Sequence, residues 1–378
     1  MIDAKDFCKA LEDNGIRFIT GVPDSLLEGI CAYICANFNP KRHIIAANEG
    51  SAVGLAIGHY LATGRPALVY MQNSGLGNTI NPLTSLADTT VYSVPMILII
   101  GWRGEMQDDD LQLKDEPQHV KQGQITIRQL EIMDIPCRII DAKSNIFSCV
   151  KELTALALDC QRPVALVVRN NTFKKYNFKD DRDDDGLLSR ESAIGCLLAQ
   201  LPQNIPVVST TGKTSRELFE LRKTDAEGHN RDFLTVGGMG YASSIATGIA
   251  NAKPDNKVVC LDGDGSMLMH AGTLSNSSQY PNFMHIVINN GAHDSVGGQT
   301  TRALDLQLTD IAYSFGYSLA LKASETEAIK NAIRTMLAVR ASSFLEITCK
   351  RGARDELLRP DRTPIENKKD FMDFLKKL

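Results

Sequence analysis

The sequence lacks the features of several large protein classes. Its longest apolar runs, such as PMILIIGW at 95–102, are too short to span a bilayer as a helix. The N-terminal segment has charges spread through it and no apolar core of the kind found in a signal peptide. A formal net charge of −4 leaves no broad basic surface for nucleic acid or an anionic membrane. We therefore expect a cytoplasmic protein with a small-molecule partner, and neither a nucleic-acid nor a membrane partner.

Common metal-binding and disulfide patterns are also missing. The nine cysteines are scattered without a CxxC pair, and the seven histidines form no HExxH or other zinc spacing. Cys31 and Cys35 are four residues apart, and we interpret them as small buried apolar residues of one helix face. These absences predict reduced thiols and no zinc site.

Two series of strands alternating with helices are present instead. Residues 1–173 and 190–378 each show short Val/Ile/Leu-rich runs separated by segments of helical periodicity, and the charged residues 174–189 between them predict a linker. The predicted strands lie at 67–72, 96–101, 137–141 and 164–169, and at 206–210, 233–236, 257–264, 284–290, 317–322 and 343–348. The pattern predicts an α/β protein of two doubly wound parallel-sheet domains. Ligands of such sheets bind beyond the carboxyl ends of the strands.

The strongest motif is KVVCLDGDGSM at 257–267, followed one βα unit later by the paired asparagines Asn289 and Asn290. Asp264 and an asparagine amide would meet at one edge of the sheet, and such oxygen ligands suit Mg²⁺. Gly263 and Gly265 let the backbone approach a diphosphate closely. A GDG sequence alone is more often an ordinary strand-to-turn connection, but the asparagine pair favours a metal-diphosphate site.

Two further motifs have ordinary structural explanations when taken alone. Glu49, in AANEGSAVGLAIG, is either a helix-start glutamate stabilised by the helix dipole or a carboxyl group that apolar surroundings keep protonatable. TVGGMGYASSIATG at 235–248 is compatible with a glycine-rich helix start. The GKT at 212–214 is not the end of a nucleotide-binding P-loop, because Val207 stands where that pattern requires glycine.

The GDGS and NN pair resembles the diphosphate-binding signature of the thiamine-diphosphate-dependent enzymes. The resemblance implies a Mg²⁺ ion held by Asp264, by the side chain of Asn290 and by the carbonyl of Ala292, with Asn289 as the alternative to Asn290. It also implies that Glu49 is the activating glutamate, which exchanges a proton with the aminopyrimidine ring of thiamine diphosphate. By the same resemblance, cofactor-binding residues are Glu49, Thr211, Gly212, Gly237, Met239, Gly263, Asp264, Gly265, Ser266, Asn290 and Ser295.

Large members of the family carry a middle domain, for which 174–189 leaves no room. The chain resembles the compact decarboxylases of phosphonopyruvate and sulfopyruvate over nearly its whole length, in GVPDSLL (21–27), QNSGLGNTINPLTSL (72–86), GWRGE (101–105), DEPQHV (115–120), TGKTSREL (211–218) and NNGAHDSVGGQ (289–299). The fused chain and the last segment favour the phosphonate branch. A sulfonate substrate, a carbon–carbon ligase and a non-catalytic cofactor-binding protein are the alternatives.

The reaction that the resemblance implies needs proton carriers and a binding site for a dianionic headgroup. We expect His119 and His293 to carry protons, although His119 is also explained as a loop histidine bound to main chain. Candidate substrate-binding residues follow strand ends: Asp24, Ser25, Arg103 and Lys213. In this family the pyrimidine-binding domain of one subunit works with the diphosphate-binding domain of another. The resemblance therefore implies a homodimer or a larger homo-oligomer with active sites between subunits.

Overall fold

The computed structural model describes residues 1–108, 111–177, 182–223 and 228–378, and it divides into two compact units. The first unit is Met1–Asp181 and the second is Arg182–Leu378. Of the expected linker at 174–189, residues 178–181 lie outside the described residues. Each unit is built around its own parallel sheet of six strands, which is the α/β architecture predicted above.

The sheet of the first unit has the strand order β2-β1-β3-β4-β8-β7, with every neighbouring pair parallel. Its strands are β1 Ile19–Gly21, β2 His43–Ile45, β3 Leu68–Gln72, β4 Met96–Gly101, β7 Cys137–Ile140 and β8 Pro163–Val168. A small antiparallel ribbon consists of β5 Met106–Asp108 and β6 Leu111–Gln112. The helices are α1 Ala4–Asp13, α2 Glu28–Asn37, α3 Glu49–Thr63, α4 Leu76–Pro82, α5 Pro117–Ile132 and α6 Ile146–Cys160.

Strand β4 shows why this sheet is covered on both faces. All six of its residues are buried, and successive side chains point to opposite faces. Ile97 and Ile99 join one apolar cluster with α1, α2 and α6, while Leu98 and Ile100 join a second cluster with α3. A continuous apolar run, rather than an alternating one, is what a strand between two helix layers requires.

The second unit repeats the same plan with the order β10-β9-β11-β12-β14-β13, again all parallel. Its strands are β9 Val207–Ser209, β10 Asp232–Leu234, β11 Val258–Gly263, β12 Phe283–Asn289, β13 Leu319–Ala323 and β14 Ser343–Thr348. Its helices are α7 Arg190–Leu198, α8 Lys213–Arg222, α9 Ala242–Ala252, α10 Asp264–Met269, α11 Leu274–Ser277, α12 Leu308–Ser314, α13 Thr326–Ala338 and α14 Pro364–Leu375.

The two sheets have one topology, because numbering the six strands of each sheet along the chain gives the order 2-1-3-4-6-5 in both. In each, the order changes direction between the first and third strands, and such a switch point opens a crevice at the carboxyl ends of the strands. The predicted site residues lie after β1, β2 and β4 in the first sheet and at the ends of β9, β10, β11 and β12 in the second.

The structure also bears on membrane-spanning helices and on disulfide bonds. Among the described residues, no helix has the length and apolar character needed to cross a membrane. All nine cysteines are free thiols.

Candidate active site

Glu49 is held at the start of α3, after β2, by local capping. The side chain of Asn48 accepts a hydrogen bond from the Ser51 amide at 2.8 Å, which fixes Glu49 in the first helical turn. The Glu49 side chain is buried, and its Oε2 accepts a hydrogen bond of 2.7 Å from Asn78 Nδ2 in α4. A Cβ atom added at Gly75 would lie 2.5 Å from Glu49 Oε1. The missing side chain at Gly75 therefore makes the space that the carboxyl group occupies.

Arg103, Ser25 and Asp115 form a polar cluster at the carboxyl ends of β1 and β4. Arg103 Nη1 donates to Ser25 Oγ at 3.2 Å, and its Nε and Nη2 bind the two oxygens of Asp115 at 2.8 and 2.5 Å. Since this bidentate pair already balances the charge of Arg103, the guanidinium is not a free cation. Its Nη1 group is the part directed toward Ser25.

Asp24 is fully buried beside this cluster. Its Oδ2 accepts a hydrogen bond from the Leu26 amide at 3.0 Å, whereas its Oδ1 has no partner among the described residues. Burial raises the pKa of Asp24 to about 6, against the lowering effect of the Leu26 amide and of Arg103. A carboxyl group of this kind holds its proton more tightly than an exposed aspartate does.

The segment after β3 connects the Glu49 region to the Arg103 region. Asn73 donates to the Arg103 carbonyl at 2.9 Å and accepts from the Arg103 amide at 3.2 Å, two residues before Gly75. His119 is buried in the first turn of α5, and a Cβ atom at Gly104 would lie 2.3 Å from its carbonyl oxygen. Four of the first-unit site residues therefore lie on adjoining segments, namely Ser25, Glu49, Arg103 and His119.

A cavity of about 380 Å³ opens beside Arg103. Its lining residues are Leu26, Trp102, Arg103, Gly104, Glu105, Leu113, Lys114, Asp115 and Asn170. The cavity is polar at Arg103, Lys114 and Asp115 and apolar at Leu26 and Leu113. It is the space next to the expected substrate-binding residues of this unit.

Asp264 lies at the corresponding sheet edge of the second unit, where β11 passes directly into α10. Its side chain is buried, and Oδ2 accepts a hydrogen bond from Thr301 Oγ1. Burial raises the pKa of Asp264 to about 7, although the Thr301 bond opposes the shift. A bound cation next to this group would favour its charged form.

The asparagine pair after β12 splits into two different environments. Asn289 Nδ2 donates to Glu346 Oε1 on β14 at 2.8 Å, within the sheet. Asn290 Nδ2 donates to Asp294 Oδ2 at 2.6 Å, while its Oδ1 accepts from the Ala292 amide at 3.1 Å and has a second lone pair. This difference favours Asn290 over Asn289 as a ligand at the loop.

Asp294 is in turn fixed by a buried ion pair. Arg190 in α7 donates to Asp294 Oδ2 at 2.9 Å and binds Glu217 in α8 at 2.6 and 3.0 Å. The side chains of Arg190 and Asp294 are only 5% and 7% exposed. A chain of contacts therefore runs from Arg190 through Asp294 to the amide of Asn290, and it sets which way that amide points.

The loops after β9 and β10 converge on the same edge. Gly212 has φ +88°, and a Cβ atom there would lie 2.5 Å from Ser295 Oγ, which accepts a hydrogen bond from the Lys213 amide at 3.3 Å. Ser266 Oγ contacts Thr210 Oγ1 at 2.9 Å and accepts from the Gly240 amide at 3.0 Å. The segments carrying Thr211, Gly212, Lys213, Gly237, Met239, Gly263, Ser266 and Ser295 are thus tied together.

His293 closes this group beside Gly265. A Cβ atom at Gly265 would lie 2.9 Å from His293 Cε1 and 3.4 Å from Met239 Cε. Burial lowers the pKa of the His293 ring to about 4, with Asp294 acting in the opposite direction. The carbonyl of Ala292 lies in the same loop, whose bridge to Thr300 uses the Gly291 carbonyl and the His293 amide instead.

Comparison with known families identifies both units. Residues 4–132 match the N-terminal thiamine pyrophosphate binding domain of thiamine pyrophosphate enzymes, and residues 210–347 match the C-terminal thiamine pyrophosphate binding domain. A phosphonopyruvate decarboxylase of Streptomyces viridochromogenes is 32% identical, over 99% of this chain and 95% of that protein. The chain belongs to the thiamine pyrophosphate enzymes. Thiamine pyrophosphate is the thiamine diphosphate expected above.

Other relatives lie in the same branch of the thiamine pyrophosphate enzymes. A phosphonopyruvate decarboxylase of Streptomyces hygroscopicus is 31% identical, over 99% of this chain and 94% of that protein. A sulfopyruvate decarboxylase of Methanosarcina acetivorans is 27% identical, over 90% of each chain. The resemblance to this branch that the sequence motifs indicated is confirmed.

The second unit fits the diphosphate end of the family's cofactor. A diphosphate needs space at the backbone, hydrogen-bond donors and a divalent cation with oxygen ligands. Gly212 and Gly265 leave room that a side chain would fill. The buried carboxyl group of Asp264 and the amide oxygen of Asn290 supply hard oxygen atoms. In the first unit, Glu49 is a buried carboxyl group whose Oε2 accepts from Asn78, and it is the residue that the family resemblance assigns to the pyrimidine end.

A second group of potential metal ligands lies in the core of the second unit. Cys260, Asp262 and His285 are fully buried, and their ligand atoms lie within 4.8 Å of one another. However, His285 Nε2 faces Asp262 Oδ2 at 3.4 Å and its Nδ1 faces the Tyr317 hydroxyl at 3.1 Å. Because both ring nitrogens are engaged, we interpret the group as a hydrogen-bond network inside the sheet.

Several residues of the site were not predicted from the sequence. They are Asn73, Gly75, Asn78, Asp115, Arg190, Asp294, Gln299 and Thr301. Some lie inside motifs already noted, such as QNSGLGN and NNGAHDSVGGQ, so the motif was the available signal. Arg190 had no local signal, because its partner Asp294 is far away in the sequence.

Proposed function

We propose that this chain is a thiamine-diphosphate- and Mg²⁺-dependent decarboxylase that converts phosphonopyruvate to phosphonoacetaldehyde and CO₂. The observation that carries the proposal is the 32% identity to a phosphonopyruvate decarboxylase over 99% of the chain. The buried Asp264 supports binding of the metal and diphosphate, and the buried Glu49 supports catalysis rather than binding alone, since a protein that only binds the cofactor does not need the acid at its pyrimidine end.

The bound cofactor would supply the carbon nucleophile and the electron sink that 2-oxo acid decarboxylation requires. In our proposal the Glu49 carboxyl group would hold the aminopyrimidine end of the cofactor and would take up or release a proton at Oε1, while Asn78 donates to Oε2 and keeps the group in place. Asp264, the Asn290 side chain and the Ala292 carbonyl would hold Mg²⁺. Gly237 and Met239 support the pyrimidine end, and the loops around Thr211, Gly212, Ser266 and Ser295 surround the diphosphate end.

Substrate binding and proton delivery are assigned to the polar residues at the strand ends. Ser25 Oγ, Arg103 Nη1 and Lys213 Nζ donate hydrogen bonds to the phosphonate oxygens, and Asp24 orients these donors. His119 and His293 are the proton donors for the carbon that loses CO₂. Burial lowers the pKa of His293 to about 4, so the ring is neutral at physiological pH, and in our proposal it relays a proton by giving one from one ring nitrogen as it gains one at the other.

We further propose that the enzyme is a homodimer or a larger homo-oligomer with active sites between subunits. This part of the proposal rests on the family resemblance, in which the pyrimidine-binding domain of one subunit works with the diphosphate-binding domain of another.

The decisive experiment measures CO₂ release from phosphonopyruvate, sulfopyruvate and pyruvate, each with and without thiamine diphosphate and Mg²⁺. We expect cofactor-dependent release that strongly favours phosphonopyruvate. A preference for sulfopyruvate would retain the chemistry and change the substrate, in line with the 27% identical relative. Absence of cofactor-dependent release from all three would refute the decarboxylase proposal.

A further inference from the structure

The loop after β12 folds back on itself as a short antiparallel ribbon. The His293 amide donates to the Gln299 carbonyl at 2.8 Å, the Thr301 amide donates to the Gly291 carbonyl at 3.0 Å, and Ala292 and Thr300 form the bridge between them. Side chains alternate between the two faces of such a ribbon. His293, Gln299 and Thr301 therefore share one face, opposite to Ala292 and Thr300.

This shared face is directed at the start of α10. Thr301 Oγ1 donates a hydrogen bond to Asp264 Oδ2. The His293 ring lies against Gly265, as shown by the 2.9 Å between its Cε1 and a Cβ atom placed at Gly265. Because Gln299 stands between these two contacts on the same face, its side chain belongs to the Asp264–Gly265 corner of the site.

The amide of Gln299 is the unusual feature of this corner. The residue is fully buried, yet neither Nε2 nor Oε1 has a hydrogen-bond partner among the described residues. A glutamine amide offers two donor hydrogens and an acceptor oxygen, and burying it unpaired is destabilising. An apolar residue of similar volume, such as methionine, would fill the same space without that cost. A polar side chain here is therefore explained by a ligand that pairs with it.

We propose that Gln299 is a ligand-binding residue whose Nε2 donates a hydrogen bond to a phosphorus oxyanion bound at the Asp264–Gly265 corner. The inference rests on the proposed function and adds to it a residue that the motifs did not assign. Two groups have this chemistry, the diphosphate of the cofactor and the phosphonate of the substrate. An uncharged N–H donor suits both groups, because it can bind an oxyanion oxygen without adding a second positive charge beside the metal.

The test compares three variants by isothermal titration calorimetry of thiamine diphosphate in saturating Mg²⁺, together with steady-state kinetics. Gln299→Glu removes the donors and adds a negative charge, whereas Gln299→Met removes the polar group and retains the volume. Gln307→Glu makes the same charge change at an exposed position of the same unit and is the matched control. We expect both Gln299 variants to weaken one of the two ligands at least about tenfold, with Gln299→Glu the weaker binder, and the control to match the wild type.

The two sources of the oxyanion give different results. A raised Kd for thiamine diphosphate identifies the diphosphate, and an unchanged Kd with a raised KM for phosphonopyruvate identifies the phosphonate. Both constants within twofold of the wild type in Gln299→Met and Gln299→Glu would overturn the proposal. The calorimetric result does not require turnover, so failure of the decarboxylase proposal would be distinguishable.

Thermal unfolding of the cofactor-free protein separates ligand binding from a packing role. If Gln299 exists to bind a ligand, Gln299→Met should leave the Tm of the cofactor-free protein unchanged or raise it, because an unpaired buried amide is removed. A lower Tm together with an unchanged Kd and KM would instead indicate that the side chain only supports the fold.

Discussion

The carboxyl group of Glu49 is the residue on which the proposed chemistry most directly depends. Gln at this position keeps the size of the side chain and its bond to Asn78, but it cannot exchange a proton. We predict that Glu49→Gln retains thiamine diphosphate binding and lowers kcat by a factor of about 10² to 10⁴, the usual contribution of an acid–base group. Calorimetry and CO₂ release measure the two effects, with Glu131→Gln at an exposed position as the control. Unchanged activity would remove Glu49 from the proposed site.

The position of this carboxyl group depends on a glycine that has no catalytic group of its own. Because a Cβ atom at Gly75 would lie 2.5 Å from Glu49 Oε1, we predict that Gly75→Ala displaces the carboxyl group and lowers kcat about 10- to 100-fold. Gly77→Ala is the matched control, since nothing lies within 4 Å of a Cβ atom there and the residue is in α4. This control should retain activity and gain slightly in stability. Equal activity of the two variants would contradict the prediction.

Asp24 is expected to lower the stability of the protein at neutral pH while contributing to its activity. Its pKa rises from the usual 3.8 to about 6 on folding, mainly through burial. Between these values the folded state binds more protons than the unfolded state, so stability is lost as pH rises through this range. Above pH 6 the cost is complete, and the difference between the two pKa values corresponds to at most about 3 kcal/mol.

Asp24→Asn removes this cost and retains an oxygen that can accept from the Leu26 amide. We predict that the variant is more stable than the wild type at pH 7–8, by about 1–3 kcal/mol in the free energy of unfolding. The advantage should be small near pH 4, where the folded wild-type carboxyl group is already protonated, and it should disappear below about pH 3, where the group is protonated in both states. Turnover should fall, because the variant has lost a titratable group beside Arg103. Chemical denaturation at pH 4, 6 and 8 measures the difference, and a variant less stable than the wild type at pH 8 would contradict the interpretation of Asp24.

At the scale of elements, the positions of the longer strands could be predicted from the sequence. The long strands were predicted within one or two residues, for example 96–101 for β4 and 343–348 for β14. Continuous apolar runs identify such buried strands. The strand expected before Asp24 is β1, whereas neither β2 nor the β5–β6 ribbon was predicted from the sequence.

The contacts that orient the site residues could not be predicted in the same way. Asn290 was expected from its motif, but its orientation depends on Asp294 and on Arg190, which lies in another helix. Pairing between side chains far apart in sequence leaves no periodic signal. The same holds for Arg103, whose pairing with Asp115 changes it from a free cation to a balanced one.

The Arg190–Asp294–Asn290 chain leads to a prediction about metal affinity. Asp294→Asn retains the shape of the side chain and an oxygen that can accept from Asn290, but it removes the negative charge that faces Arg190. We predict that the apparent Kd for Mg²⁺ rises about 10-fold, which is the usual effect of losing a residue that orients a metal ligand. The Tm of the protein should fall as well, because Arg190 loses a partner in a buried site.

A surface ion pair provides the control for this experiment. Asp305 pairs with Arg302 through side chains that are 60% and 77% exposed, and exposed pairs contribute little to stability. Asp305→Asn should therefore match the wild type in Mg²⁺ affinity, measured from the Mg²⁺ dependence of cofactor binding, and in Tm. If Asp294→Asn also matched the wild type, the orienting role of Asp294 would be wrong.

At the scale of the whole molecule, the same sheet topology occurs in both units, and the proposed acid and the proposed metal ligands lie in different units. Both sheets have the order 2-1-3-4-6-5, and in both the site residues follow the first four strands. The proposed acid Glu49 belongs to the first unit, and the proposed metal ligands Asp264 and Asn290 belong to the second. Neither unit has both, so the site that we propose would need a first unit and a second unit, from the same chain or from two chains.

Complementation distinguishes these two arrangements. Glu49→Gln inactivates the first unit of one chain, and Asp264→Asn inactivates the second unit of another. If active sites form between subunits, a mixed dimer has one site composed of two intact units, whereas if each chain uses its own two units, every site contains one inactive unit. We predict that the two variants, inactive alone, form on co-expression a mixed dimer with about half of the wild-type activity, because one of its two sites is composed of two intact units. Recovery is measured as CO₂ release after purification of the mixed oligomer through two different tags. No recovery from a mixed oligomer that binds thiamine diphosphate would show that each chain forms its site alone.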